Sequence, residues 1–416
     1  MITTEKIKGF KLIAGDKVLW VILAALAILS ILVVYSSSAK MGFSIAGASS
    51  VTSLLRGQLV IVAFCTVMLL LVYRINCSFY GRFAWLIYAL AWLATLAAYF
   101  FGNSINDAHR WFLGIQPNEA LKIATVIVLA RQLAARQAII DKLKLFPTLN
   151  PMKLFSVPAN VKVLREHTIP ILLPVVAACG VILPAHTSAA LIVFVISLIM
   201  MYIGRMRRVE LLKIVMLAGL AAVLALGAMK IANMGRSGVA GGRFSTWKTT
   251  LLTSRKDVPA ADLSDTERSM IAIHQGGLFG KGAGQSSVRV ELTHPECDYT
   301  FAFFVEEYGL LMALIVMSFY IWIVVRGITI FRQCETAFPG LLVLGLVMVV
   351  TLQAMMHIFV SVNFFPETGQ TLPFISRGGS SMLFATLAMA IVLGVSRQND
   401  EKSHDKPRGE SILERG

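Results

Sequence analysis

An acidic residue opens one long apolar stretch of the chain, "HPECDYTFAFFVEEYG". Asp298 lies at the start of the apolar run, and Glu306 and Glu307 follow about two helical turns later. A partly desolvated carboxylate at the rim of a cavity is a candidate general base, because it can accept a proton from a substrate hydroxyl. Asp298 is therefore the first candidate catalytic residue.

Two other interpretations of Asp298 stay open. It could be a first-turn acid that the helix dipole stabilises. It could also belong to a metal site with His294 and Glu296, since alternate residues of an extended segment share a face. That spacing matches no strong metal pattern, so the expectation is that no metal is bound by these residues.

A second acid stands beside a lysine in "NDAHRWFLGIQPNEALK". Gln116 and Pro117 are typical of a helix start, and Glu119 lies in the first turn, where a negative charge favours the dipole. Lys122 follows three residues later and shares a helix face with Glu119. A cation in an apolar zone needs either that partner or an anionic ligand, so Lys122 is a candidate substrate-binding residue.

The stretch "SMIAIHQGGLFGKGAGQSS" is rich in glycine but matches neither a Walker A sequence nor G-x-G-x-x-G, and no strand precedes it. Its glycines either form tight turns or free backbone amides to line an anion site. Most nearby cations are expected to be solvated, with one or two in contact with substrate. They are Arg243, Lys248, Arg255, Lys256, Arg268 and Lys281.

A further polar stretch, "NFFPETGQTLPFISRGGSSML", is broken by proline and glycine immediately before the last apolar run. Irregular backbone at membrane depth is tolerated only where protein buries it or where it lines a cavity filled with water. The stretch is therefore predicted to fold back and line the same outward cavity.

These candidates lie in a chain with the composition of an integral membrane protein. Of 416 residues, 56% are hydrophobic and only 15% are charged, and the mean hydropathy is +0.73. The net charge of +15 does not indicate a nucleic-acid partner, because the basic residues are scattered between apolar runs. The five cysteines form no C-x-x-C pair and predict neither a disulfide framework nor a metal site.

The apolar runs predict an all-α integral membrane protein with about ten transmembrane helices. The runs lie near residues 18–36, 58–73, 83–102, 118–135, 168–184, 187–204, 211–231, 299–325, 339–360 and 379–396. Most loop cations fall on one side if the N-terminus is cytoplasmic, so both termini are predicted inside. Residues 1–398 then form one transmembrane domain, with a large extracytoplasmic loop at 233–297 between helices 7 and 8. Residues 399–416 are predicted to be a disordered cytoplasmic tail.

Four blocks, in order along the chain, resemble the SEDS family, which includes FtsW, RodA and SpoVE. They are "HRWFLGIQPNEALK", "SMIAIHQGGLFGKGAGQS", "CDYTFAFFVEEYG" and "PETGQTLPFISRGGSS". The "GQTLPF" sequence is similar to the FtsW-type division proteins. Three departures stand out: Ala185 replaces an acid, "HPECDY" is shorter than the family's block, and Arg377 replaces a tyrosine.

The resemblance implies a peptidoglycan glycosyltransferase that polymerises lipid II at the outer face of the cytoplasmic membrane. Asp298 matches the family's catalytic aspartate, and Glu119 and Lys122 match its intramembrane pair. The other expected substrate-binding residues are Arg243, Ser269, Lys281 and Ser376. The implied partners are a class B penicillin-binding protein transpeptidase and other division proteins at the septum, with a divalent cation, Mg²⁺ or Mn²⁺, as a candidate cofactor. A lipid II flippase and a non-catalytic scaffold are the alternatives.

Overall fold

The computed structural model describes residues 14–41, 48–101, 103–105, 108–111, 115–141, 162–184, 186–232, 265–286, 298–365 and 368–405. Within these residues the protein is built almost wholly of helices. In chain order they are α1 (Lys17–Met41), α2 (Ala48–Val72), α3 (Cys77–Phe101), α4 (Pro117–Ala135), α5 (Ile169–Ile182), α6 (Thr187–Ile203), α7 (Arg208–Ala232), α8 (Asp265–Gly276), α9 (Thr300–Gln333), α10 (Ala337–Ser361) and α11 (Gly379–Asp405). A π-helical turn, Leu164–Thr168, precedes α5.

The fold class predicted from the sequence is confirmed. Each of the ten apolar runs coincides with a helix to within two residues at the ends where it extends beyond one, and seven helices among the described residues are long and apolar enough to cross a membrane. Helix α6 is apolar but has only 17 residues, and α4 is interrupted by Glu119, Lys122 and Arg131. That all ten cross the bilayer stays a prediction.

Two elements were not predicted. A two-stranded antiparallel hairpin follows α3, with β1 at Asn103–Ile105 and β2 at Ala108–Trp111. Helix α8 lies inside the large loop between α7 and α9, where its buried face packs on α9 and α10. The loop therefore carries an ordered part, while residues 233–264 and 287–297 lie outside the described residues.

Helices α4, α10 and α11 form the interior of the bundle. Apolar and polar side chains alike are buried along α4. In both α10 and α11, 78% of the residues in the apolar membrane-spanning stretch are buried. A Cβ at Gly345 of α10 would overlap Val126 of α4 and Met200 of α6, so glycine allows these three helices to approach closely. Helices α1, α2 and α3 instead expose large apolar side chains, as expected for the lipid-facing layer of a membrane protein.

Polar contacts mark one end of the bundle, where Asp16 pairs with Arg326 at 2.6 Å and Arg397 donates to the carbonyl of Arg74 at 3.0 Å. At the other end lie Asp298, the loop that follows α8 and the segment between α10 and α11. The sequence-predicted outer loops thus meet at one end and the predicted inner loops at the opposite end.

The segment 368–376 crosses the interior outside any helix, apart from one turn in which the amides of Ile375 and Ser376 donate to the carbonyl of Leu372. Side chains from four helices donate to five of its other carbonyl groups. The donors are Ser188 of α6 to Thr368, His357 of α10 to Gln370, Gln353 of α10 to Thr371, Tyr320 of α9 to Pro373 and Ser30 of α1 to Ile375. Most residues of the segment are buried. The prediction that it folds back into the protein is confirmed, and the donors explain how its backbone avoids an unpaired state in the bilayer.

The last helix continues further than predicted. Helix α11 ends at Asp405, so residues 399–405 of the predicted disordered tail are helical. Arg397 pairs with Glu401 one turn on at 2.8 Å, and Asn399 contacts the end of α9. Polar composition alone predicted disorder for these residues. The i,i+4 pair and the packing against α9 instead stabilise them as a continuation of the helix. Residues 406–416 lie outside the described residues.

Tyr320 provides a test of this arrangement. We expect Tyr320→Phe to lower the free energy of unfolding by about 1–3 kcal/mol, because the buried Pro373 carbonyl loses its donor. SDS titration in mixed detergent micelles measures the change. Tyr35→Phe, at an exposed tyrosine of α1, is the control and should leave stability unchanged. Equal stability of the two variants would contradict the role of Tyr320.

Candidate functional site

Asp298 lies just outside the first turn of α9. The helix begins at Thr300 with Tyr299 as its N-cap residue, and its first turn contains no acidic residue. Asp298 as a residue is half-buried. The interpretation as a first-turn acid therefore does not describe this helix. His294 and Glu296, the other members of the possible metal site, lie outside the described residues.

The start of α9 is held by two side chains from other parts of the bundle. The amide of Phe301 donates to Nε2 of His357 at 3.3 Å. The hydroxyl of Ser376 donates to that of Thr300 at 2.9 Å and accepts the Leu372 amide at 2.8 Å. The re-entrant segment 368–376 and α10 thus fix the backbone that leads directly into Asp298.

Ser376 and Ser269 were predicted to bind substrate, but both are buried and bonded to protein groups. Ser376 is 2% exposed and makes the contacts given above. Ser269 of α8 is 0% exposed and donates to the carbonyl of Ser361 at 2.7 Å, which joins α8 to the end of α10. Their contacts in the structure are internal, and the substrate-binding role of either stays a prediction. Arg243 lies outside the described residues.

Glu119 and Lys122 form a buried ion pair at the start of α4. Their side chains are 2.8 Å apart and are 7% and 0% exposed. Lys122 also donates to Gln353 of α10 at 2.7 Å, and Gln353 donates to Ser381 of α11 at 3.1 Å. Lys122 is therefore balanced by Glu119, the first of the two possibilities that the sequence left open. The chain of contacts ties together the three interior helices.

A small cavity lies beside this pair. It is lined by Glu119, Ile123, Val349, Val350, Gln353, Pro373, Phe384 and Ala385. Pro373 places the cavity against the re-entrant segment, and Glu119 and Gln353 supply its charged and amide groups. Glu119 is thus the member of the ion pair that lines the cavity.

Glu306 and Glu307 are buried and bound by the glycine-rich loop after α8. Glu306 pairs with Lys281 at 2.7 Å and accepts from Ser286. Glu307 accepts the Gly284 amide at 2.9 Å and the hydroxyl of Ser36. The loop does form an anion site, as one interpretation of its glycines proposed, but the anions that it holds here are the protein's own carboxylates.

Backbone contacts explain the glycines of this loop. The amides of Lys281 and Gly282 donate to the carbonyls of Glu306 and Glu307 at 2.9 and 3.0 Å. Helix α9 breaks at Gly309, whose φ of 82° and ψ of 170° are non-helical. A Cβ at Gly276, Gly280 or Gly309 would overlap a backbone carbonyl of the facing segment. Glycine is required because two backbones meet without side chains between them.

Sequence reasoning missed His357, which is fully buried in α10. It lies within the apolar run 339–360 and belongs to none of the four motifs. The available signal was its ionisable side chain within a membrane-spanning segment, which is itself a reason to suspect a function. Among the described residues, no group of three or more His, Cys, Asp or Glu side chains is placed to hold a metal ion.

Comparison with known proteins agrees with this arrangement. A sequence model of the FtsW, RodA and SpoVE proteins, described as "Cell cycle protein", matches residues 16–401. The chain belongs to the FtsW/RodA/SpoVE family. This family match covers every described element from α1 to all but the last few residues of α11.

Curated family members and solved structures are similar over most of the chain. The probable peptidoglycan glycosyltransferase FtsW of Bacillus subtilis is 26% identical over 392 residues, which cover 91% of this chain and 90% of that protein. A chain from a structure described as a peptidoglycan synthase complex has a TM-score of 0.65 at 19% identity, covering 93% of this chain and 98% of that one. RodA of Thermus thermophilus has a TM-score of 0.60 at 21% identity with the same coverage. These structures establish that the fold is shared.

Double substitution tests whether Glu119 and Lys122 stabilise the fold as a pair. We expect Glu119→Gln and Lys122→Met each to lower the free energy of unfolding by roughly 3–5 kcal/mol, since each leaves a buried charge unpaired. The double variant should be more stable than either single one. Unfolding in mixed micelles measures stability, and additive losses in the double variant would contradict the pairing.

Substitution of the loop glycines tests the backbone contacts. We expect Gly280→Ala and Gly309→Ala to destabilise the protein by about 3 kcal/mol, the sum of left-handed strain and overpacking. Gly277→Ala has positive φ but open space, and should cost about 1 kcal/mol. Gly57→Ala, within α2 and with no neighbour within 4 Å, should be neutral or slightly stabilising. Similar losses at Gly277 and Gly280 would argue against close backbone approach.

Proposed function

We propose that this protein is a peptidoglycan glycosyltransferase that joins lipid II disaccharides into glycan strands at the outer face of the cytoplasmic membrane. The observation that carries the proposal is the family match over residues 16–401 together with the half-buried Asp298 at the start of α9. Curated relatives of similar length bear the name peptidoglycan glycosyltransferase FtsW, which supports the reaction class. The FtsW relatives also support a role in septal synthesis during division.

The reaction requires a site that opens both to the bilayer and to the interface. The donor sugar is attached to a polyprenyl pyrophosphate, whose tail stays in the lipid while the anomeric carbon lies at the membrane surface. The 4-hydroxyl of one GlcNAc attacks C1 of the MurNAc on the other substrate. The new glycosidic bond forms with inversion as the bond to the pyrophosphate oxygen breaks, and undecaprenyl pyrophosphate leaves.

Asp298 is proposed to accept the proton of the attacking hydroxyl. A sugar hydroxyl is a poor nucleophile, and a positioned base typically accelerates such a step by about 10²–10⁴-fold. The half-buried position favours this role, because the carboxylate can meet substrate while part of its hydration is removed. His357 and Ser376 hold the helix start that follows Asp298, so the carboxylate is carried on a fixed backbone.

The leaving pyrophosphate needs positive charge. Lys281 is 30% exposed and is the most accessible cation among the predicted substrate-binding residues that the structure describes. Lys122 is fully buried against Glu119 and Gln353, so its proposed contribution is to shape the interior beside Pro373. A divalent ion, Mg²⁺ or Mn²⁺, would be bound largely by the phosphate oxygens of the substrate, as is usual for Mg²⁺. Arg243 stays a prediction from the sequence.

Partner and orientation belong to the same proposal. One chain of similar fold comes from a structure described as a peptidoglycan synthase complex that coordinates polymerisation and crosslinking, which supports a class B penicillin-binding protein as partner.

The end of the bundle near Arg74, Arg326 and Arg397 is proposed to face the cytoplasm, because cytoplasmic loops carry an excess of Lys and Arg. Both chain termini and the C-terminal end of α11 then lie on the cytoplasmic side of the membrane.

Asp298→Asn tests the proposal. We expect glycan synthesis from labelled lipid II, by purified protein in detergent with its penicillin-binding partner, to fall by about 10²–10⁴-fold while stability is unchanged. Glu335→Gln, at an exposed acid near the opposite end, is the control and should keep full activity. Normal polymer from the Asp298→Asn variant would rule out the base. No polymer from unsubstituted protein with an active partner would favour a flippase or a scaffold.

Chelation tests the divalent ion. Loss of glycan product in EDTA, restored by Mg²⁺ or Mn²⁺, would support a requirement for a divalent ion in the reaction.

A further inference from the structure

His357 joins the start of α9 to the re-entrant segment through both nitrogens of its imidazole. Nε2 accepts the amide hydrogen of Phe301 at 3.3 Å, and Nδ1 lies 2.7 Å from the carbonyl oxygen of Gln370. A carbonyl oxygen can only accept, so Nδ1 carries the hydrogen. Nε2 must then be the unprotonated nitrogen, and the ring is neutral in this arrangement.

The Phe301 amide is one of the groups that a helix cannot satisfy by itself. The first four N–H groups of an α-helix have no intrahelical acceptor, and the N-cap side chain usually accepts one of them. Tyr299 occupies the N-cap position of α9 and makes no capping hydrogen bond with its side chain. His357 therefore supplies from α10 an acceptor that the side chain of the N-cap residue does not.

The position of this acceptor relates it to Asp298. Phe301 is three residues after Asp298, and Tyr299 and Thr300 between them are buried. Thr300 is held on its other side by Ser376 at 2.9 Å. The backbone that follows Asp298 is thus held at two consecutive residues, Thr300 and Phe301, and His357 supplies one of the two contacts that orient it.

We propose that His357 is a positioning residue, which fixes the first turn of α9, and with it Asp298, by accepting the Phe301 amide on a neutral imidazole. The inference rests on the proposed function, because it gives His357 a part in the same glycosyl transfer. It assigns His357 no contact with substrate. Its expected effect is on kcat rather than on KM, since the contact orients the base and does not bind the sugar.

Two isosteric substitutions separate the two contacts of the ring. Glutamine places its amide near the position of Nε2, so His357→Gln keeps an acceptor for Phe301 and loses the contact with Gln370. Asparagine places its amide near Nδ1, so His357→Asn keeps a donor for Gln370 and loses the contact with Phe301. A displacement of about 1 Å can cost on the order of 100-fold in rate. We therefore expect His357→Asn to lower kcat by about 10- to 100-fold with KM unchanged, and His357→Gln to stay within about threefold of the unsubstituted protein.

Hydrogen exchange gives a readout that does not depend on activity. In purified protein in detergent, the Phe301 amide should exchange slowly in the unsubstituted protein and in His357→Gln, and at least about tenfold faster in His357→Asn, where it loses its acceptor. Thr351→Val is the matched control on the same helix, because the Thr351 hydroxyl donates to the Val347 carbonyl within α10. It should change neither kcat nor the exchange of Phe301.

Each outcome bears on one of the two proposals. Loss of kcat in His357→Gln with full activity in His357→Asn would overturn the inference, since the Gln370 contact would then be the important one. Rapid exchange of Phe301 in the unsubstituted protein would overturn it without any variant. Full activity of Asp298→Asn together with slow exchange at Phe301 would reject Asp298 as the base and leave the helix cap in place.

Discussion

The structure depends on one constraint: every backbone polar group in the interior must find a partner without water. The segment 368–376 crosses that interior outside any helix, and five of its carbonyls receive hydrogen bonds from side chains of α1, α6, α9 and α10. An unpaired group there would cost several kcal/mol in a bilayer. The serine, tyrosine, glutamine and histidine donors are therefore required at their positions. They hold the segment against α1, α6, α10 and α9, the helix that follows Asp298.

The same constraint explains why the acidic residues of the interior are not free charges. Glu119 is paired with Lys122, Glu306 with Lys281, and Glu307 is bound by the Gly284 amide and Ser36. A buried ionised group is tolerated only when such partners surround it. Asp298 differs from these acids in burial, because it is half-buried and lies at the end of the bundle.

Much of the architecture could be predicted from the sequence, because length and hydropathy of a membrane helix are local properties. Each of the ten apolar runs corresponds to a helix, and Glu119 and Lys122 pair as their i,i+3 spacing indicates. The partners that lie far apart in the chain could not be predicted. Gln353 is 231 residues from Lys122, and His357 is 56 residues from Phe301. Sequence periodicity does not predict such long-range contacts. The role of the loop glycines likewise follows only from their packing against α9 in the structure.

The break at Gly309 has a mechanical consequence. It divides α9 into a short piece, which ends at Tyr308, and a long piece that runs on to Gln333. Bonds from the loop after α8 pin the junction between them, because Gly277 and Leu278 accept the amides of Leu310 and Leu311. When lipid thickness changes, the long piece can tilt about this pinned point. The short piece, which begins two residues after Asp298, is thereby separated from that tilt, so the end of the bundle that carries Asp298 can keep its shape while the long piece adjusts to the membrane.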